Sequence, residues 1–179
     1  MGVRENVTGG HKSINTDHAL IHAGRAFSFS KKFSIAAAGI SYVQIKTPAS
    51  KYVHLKPIKV SSDGPKIDVA FIEAPTVTDG TNAVALVNRN RPMASAYTFG
   101  TLAYDNPTSV SSGTIIEADY IGGGSGGTPV AATIGGALNN DNEFVLKQST
   151  SYLLKITNSG ASTAAVQANF FGYEEDSAN

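Results

Sequence analysis

The sequence predicts an all-β chain folded as a two-sheet β-sandwich, with jelly-roll topology preferred over an immunoglobulin-like one. Three observations lead there. Short segments alternate apolar and polar residues with a period of two, turns rich in Gly, Pro, Asn and Ser separate them at short intervals, and no stretch carries convincing helical spacing. Composition agrees: charged residues make up 16% of the 179, below the average of about a quarter, while glycine reaches 18. A chain of this length buries a core as a single domain without metal or disulfide staples, and it has no cysteine.

In chain order, residues 1–17 lack the alternation and read as an extended arm. Its apolar positions are too few for it to fold alone, so it is expected to order against a neighbouring subunit. "DHALIHAGRAFSFS" reads as a strand following that arm, and "FSIAAAGI", cut by Gly39, allows a single helical turn at most. "ISYVQIKT" sends Val43 and Ile45 to one side and Gln44 and Lys46 to the other. "KYVHLKPIKV" alternates through Val53 and Leu55 and resumes at Ile58 and Val60. Pro57, which has no N–H to donate, suits an edge position or a bulge there.

"SDGPK" is a turn, "KIDVAFIE" aligns Ile67, Val69 and Phe71, and Asp79-Gly80 is a favoured hairpin dipeptide. Further strands are expected at 96–104, 113–121, 142–148, 151–158 and 165–174. The chain therefore divides into an arm (1–17), a sandwich (18–174) and a flexible tail (175–179).

The formal net charge is zero, but it is unevenly distributed. Residues 1–66 hold ten Lys and Arg against Glu5, Asp17 and Asp63, and the remainder holds the opposite excess. The lysines are spread along strand-like segments without interleaved aromatics, so nucleic acid is not an expected partner. They form either a solvated strand face or a basic face meeting an acidic partner. No apolar run is long enough to cross a bilayer and the N-terminus has no apolar signal region, so a soluble, unprocessed chain with no membrane partner is expected.

Signals for chemistry are thin. Gly122, Gly124 and Gly127 in "YIGGGSGGTPV" match the spacing of a dinucleotide fingerprint, which needs a helix to follow. Pro129 and "VAATIGG" cannot supply one, so "GGGSGG" reads as a surface loop able to mould itself to a neighbouring molecule. His18 and His22, at i and i+4, would share a helix face suited to zinc, but their surroundings read as strand. Glu117 and Asp119 project to one face, as solvated carboxylates more readily than as a glycosidase pair. "LNNDNE" is oxygen-rich without the spacing of a calcium loop, and no nucleophile elbow occurs.

No catalytic residue, metal or cofactor is therefore expected. The candidate site is a protein interface comprising Arg89 and Arg91 of "LVNRNRP", Arg4 of the arm, and Gly123 and Gly124 of the loop. On an extended segment Arg89 and Arg91 project to one side and could fork onto carboxylates of a partner.

The succession "HAGRAFSFS", "VHLKPIKV", "VAFIEAPTVTDGT", "LVNRNR", "GTIIEADYIGGG", a glycine-containing excursion, "EFVLKQSTSYLLKITN" and a last strand ending "FFGYE" resembles the small head proteins of tailed bacteriophages. Specifically, it is similar to jelly-roll cement or decoration proteins over most of residues 18–174. The resemblance implies a non-enzymatic all-β subunit on the capsid exterior, made in the bacterial host cytoplasm. Its partners would be the major capsid protein and further copies of itself, as a homodimer or homotrimer, and it would reinforce junctions between capsomers. The alternatives are a receptor- or carbohydrate-binding jelly roll of a phage fibre, for which Tyr97, Tyr104, Tyr120 and Tyr173 are available, and a cupin-like enzyme. The enzyme would need clustered histidines within the barrel, whereas three of the four lie at or before position 22.

Overall fold

A computed structural model describes residues 16–64, 66–93, 96–122, 130–135 and 142–176. Residues 1–15, with Arg4, and the loop containing Gly123 and Gly124 lie outside the described residues. The first part of the chain comprises helix α1 (Thr16–His22), β1 (Ala26–Ile35), β2 (Ile40–Lys46), β3 (Lys51–Leu55), β4 (Ile58–Ser62) and β5 (Ile67–Glu73). Short strands β6 (Thr76–Thr78), β7 (Asn82–Ala83), β8 (Val87–Asn88), β9 (Leu102–Asp105) and β10 (Thr108–Ser111) follow, with a 3-10 turn at Arg91–Met93. The chain ends with β11 (Thr114–Ile121), β12 (Val130–Ile134), β13 (Phe144–Leu146), β14 (Ser151–Asn158) and β15 (Ala164–Asp176).

The pairing is nested. The first strand pairs with the last (β1 with β15), β2 with β14, β3 and β4 with β13 and β12, and β5 with β11, all antiparallel. Successive rungs of this folded ribbon alternate between two sheets. One has the order β12-β4-β15-β1-β8, with β3 and β13 beside it, and the other runs β11-β5-β14-β2-β9-β7. A long antiparallel ribbon wrapped alternately into two facing sheets is the jelly roll, as the turn-and-alternation pattern predicts. Residues 74–113, inserted between β5 and β11, add β8 to the edge of one sheet and β9 and β7 to the other, while β6 and β10 pair with each other.

Alternation explains the core. In β1, Phe27, Phe29, Phe33 and Ile35 are buried while Ser30, Lys32 and Ser34 are exposed, and the opposing sheet supplies Val43, Ile45, Val69, Phe71, Leu154 and Ile156. Each such side chain fully buried is worth about 1.5–3 kcal/mol. Phe29 stacks on Phe170 across the β1–β15 ladder with ring centroids 4.3 Å apart.

Four expectations change. Residues 16–22 are helical, not extended. The reason lies at the helix end, where Gly24 takes φ 72° and Gly24 N–H donates to Ile21 O while Arg25 N–H donates to Leu20 O. This paired closure satisfies the last carbonyls of a helix and favours glycine at its left-handed position. Pro57 sits neither at an edge nor in a bulge but at a break between β3 and β4, both of which pair with β15 in the sheet interior. Residues 130–134, where no strand was expected, form β12 against β4. The expected tail begins too early: Glu175 pairs with Tyr52 and Asp176 with Lys51, and Arg25 holds Asp176 at 2.8 Å.

Candidate interaction face

The charge asymmetry of the sequence is largely consumed inside the fold. Basic residues of the first part meet acids of the second: Arg25 with Asp176, Lys31 with Asp105, Lys46 with Asp79, Lys51 with Glu174, Lys56 with Glu143 and Lys66 with Asp68. Lys147 likewise pairs with Glu73. Folding brings distant segments together, so in every pair but Lys66–Asp68 opposite charges far apart in sequence become neighbours.

Among the described residues, Lys32, Lys59, Arg89, Arg91 and Lys155 make no ion pair. Lys32, Lys59 and Arg89 gather on the outer face of the β1–β15 sheet. Register places them there: Lys32 is opposite Gln167 and Gln167 opposite Ser61, while Ser30 is opposite Asn169 and Asn169 opposite Lys59. These positions alternate with the buried Phe33, Phe29, Val60 and Phe170, so they point away from the core. Strand β8 adds Val87 opposite Ser28 and so brings Arg89 alongside, with its guanidinium 4.9 Å above the Phe171 ring.

Ser28, Ser30, Lys59, Arg89, Asn169 and Phe171 line a shallow groove of about 590 Å³, and Lys32 lines a second one with Ser61, Gln167 and the carboxylate-bearing Asp63, whose Oδ1 accepts the Ala165 N–H. An aromatic floor under Arg89 holds the planar cation in a cation–π contact. Around it, short serine, asparagine and glutamine side chains leave the cations accessible. Such a face has the chemistry to hold carboxylates or other anions.

At the far end of the same face, charge is satisfied locally. Glu143 accepts from His54 Nδ1 at 2.9 Å, Lys56 Nζ at 2.9 Å and the Tyr173 hydroxyl at 2.9–3.0 Å, and His54 stacks on Tyr173 with centroids 4.5 Å apart. Burial pushes the Glu143 carboxyl up, but its bonds to Lys56, His54 and Tyr173 outweigh that and hold it below the usual carboxylate range. Glu143 closes the "LNNDNE" segment, whose residues 138–141 lie outside the described residues. Its carboxylate is already committed to these three groups.

Other sequence candidates fall apart spatially. Arg89 and Arg91 are both exposed, but the extended run that would aim them alike ends at Asn88, whose Oδ1 accepts the Asn90 N–H at 2.9 Å. Arg91 then opens the 3-10 turn, so the extended segment on which both arginines were expected does not reach it. Glu117 and Asp119 do share a face, opposite Phe71 and Val69, but Glu117 Oε1 accepts Gly135 N–H at 2.8 Å and Asp119 Oδ1 accepts Tyr120 N–H at 2.7 Å. Both carboxylates serve the backbone of an edge region. Gly122 opens onto empty space, and the next described element is β12, not the helix a dinucleotide fingerprint requires.

Lys32 and Lys59, the partners of Arg89 on this face, were not singled out from sequence. The available signal was their place at outward positions of strands in which neighbouring basic residues are paired, and that requires knowing the register.

Comparison with known proteins adds little. No family model matches the chain, and no curated protein matches it. Among solved structures, one described as Desmodium yellow mottle tymovirus aligns over 86% of this chain and 89% of that chain, at 13% identity and a TM-score of 0.29. That likeness is too loose to carry an argument, and the jelly-roll assignment rests on the strand order itself.

Proposed function

We propose that the chain is a non-enzymatic virion structural protein that binds the outer surface of a tailed-phage capsid as a cement or decoration subunit. The observation that carries the reading is the unpaired basic face of Lys32, Lys59 and Arg89, left open by a fold that neutralises most of its other cations. The partner is the major capsid protein, presenting carboxylates, with further copies of the chain beside it. Complementary charge steers encounter and fixes register on such a lattice. The test is co-sedimentation with purified capsids stripped of small head proteins, followed by electron-microscopy reconstruction. Density for the subunit with the β1–β15 face against the shell supports the proposal; absence of binding at low ionic strength overturns it.

A carbohydrate-binding reading has one observation in its favour. Tyr120 is 64% exposed beside a shallow groove of about 330 Å³ lined by Ala70, Ala118, Lys155 and Thr157, whereas Tyr173 is buried and Tyr97 is tied to Lys51 and Glu174. A glycan array in which binding depends on Tyr120 separates this reading from capsid attachment.

A further inference from the structure

We infer that His18 and His22 form a chelating site for a borderline divalent transition-metal ion, with copper(II) the strongest ligand and zinc next in interest. The strand expected at these positions would have sent the two rings to the same side but too far apart to share an ion. The helix instead stacks them one turn apart, with Nε2 to Nε2 at 3.2 Å and ring centroids at 4.6 Å. Two imidazole nitrogens bound at about 2.0–2.1 Å to one tetrahedral ion lie about 3.3–3.4 Å apart, and at a right angle about 2.9 Å. The observed spacing falls between those values.

Both rings are exposed, so the remaining coordination positions open to water or to a donor from a second molecule. The support beneath the site is fixed. The paired closure at Gly24 ends the helix, and Asn90 Nδ2 donates to the His22 carbonyl at 2.7 Å, tying the last turn to the segment after β8. Preorganised rings lose little freedom on binding. Imidazole ligands select copper, nickel and zinc over calcium and magnesium, and copper heads the divalent series.

The inference is independent of the capsid reading. It is tested by titrating the full chain with copper(II) and zinc(II) chloride, following heat and, for copper, the nitrogen couplings in the electron paramagnetic resonance spectrum. Removing a ligand should cost at least the about 10–100-fold that loss of a merely orienting group costs. His18→Ala and His22→Ala should therefore each weaken binding by that much, with unchanged circular dichroism. His11→Ala and His54→Ala should leave binding intact, the latter because His54 is held between Glu143 and Glu175. No binding up to millimolar metal, or binding that survives both helix variants, or loss caused by His11→Ala or His54→Ala alone, overturns the inference.

Discussion

Lys51 and Glu174 meet at 3.0 Å across the β3–β15 ladder, the Glu174 side chain fully buried and the lysine about one-fifth exposed. The buried carboxylate is completely supplied with donors. Thr101 N–H and Oγ1 lie at 2.6 and 2.7 Å and the Tyr97 hydroxyl at 3.0 Å, so residues of the β5–β11 insertion are anchored to the last strand. Burial pushes the Lys51 ammonium down, but its bonds to Tyr97 and Glu174 outweigh this and hold it above its ordinary value.

Removing Glu174 leaves the buried Thr101 N–H without its acceptor and the part-exposed Lys51 without its counter-ion. Glu174→Ala is expected to cost about 3–5 kcal/mol, as loss of one member of a buried pair does. Urea unfolding checks this. A loss under about 1 kcal/mol, the range of surface pairs, would show the network to be solvated.

Acid should loosen the fold through Glu143, Glu73, Asp68 and Asp79, all held below their ordinary values. A carboxylate depressed in the folded state contributes stability that is complete above its unfolded value and is lost as pH falls through the folded one. Unfolding free energy is therefore expected to drop below about pH 4 and to be level between pH 5 and 8. Chemical denaturation across that range tests the sign, and greater stability at pH 3 than at pH 6 would contradict it.

Tyr152 gives the alkaline counterpart. Burial, reinforced by the Glu73 carboxylate at 3.0 Å, pushes its hydroxyl from 10 up to about 12. Its stabilising effect is complete below the unfolded value and is lost as pH rises from 10 toward 12, a window Tyr97, also raised, shares. Tyr152→Phe should flatten part of that alkaline slope, while losing the bonds to Glu73 and the Lys147 N–H costs about 1–2 kcal/mol at neutral pH. An unchanged slope would assign the transition elsewhere.

On the outer face, Arg89→Ala is expected to weaken capsid binding by about 2–5 kcal/mol, most of it from the carboxylate left unpaired. Arg91→Ala should cost less than about 1 kcal/mol and fade with salt, because it stands in the 3-10 turn, outside the groove that Arg89 lines. Binding titrated at low and high ionic strength distinguishes them, and the reverse ranking would move the interface to the 3-10 turn.

Gly172 lies where β15 crosses Phe27 and Leu55, and a Cβ there would meet His54 O at 2.7 Å and Phe27 Cζ at 2.8 Å. Gly172→Ala should lower stability by about 1–3 kcal/mol through overpacking, seen as a shifted denaturation midpoint. A neutral result would mean that β1 can shift freely.

The sandwich was legible because period-two burial is a local property. "ISYVQIKT", "KIDVAFIE" and "SYLLKITN" stand as strands where the alternation puts them and send Val43, Ile45, Ile67, Val69, Phe71, Leu154 and Ile156 into the core, while Gln44, Ile72 and Leu153 are buried as well. Turn residues marked the breaks, Pro57 included, but whether a broken strand is central or at an edge depends on which distant segment pairs with it. Helix α1 was misread because its apolar residues are too few to set a period, although Gly24 carried the stop signal.

The proposed face is only partly written in the sequence. Arg89 could be singled out from the polar run it sits in, while Arg91 could not be separated from it, since the bend at Asn88 depends on hydrogen bonds to Gly24 and His22 from another part of the chain. The sequence alone determined an all-β sandwich with opposite charge excesses in its two parts, because alternation and composition need no partner. The tertiary structure alone decided which charges cancel and which remain exposed, because Coulombic pairing acts over a few ångströms and only the packing of one sheet on the other brings Lys31 of β1 to Asp105 of β9 and leaves Lys32, one residue later, facing outward.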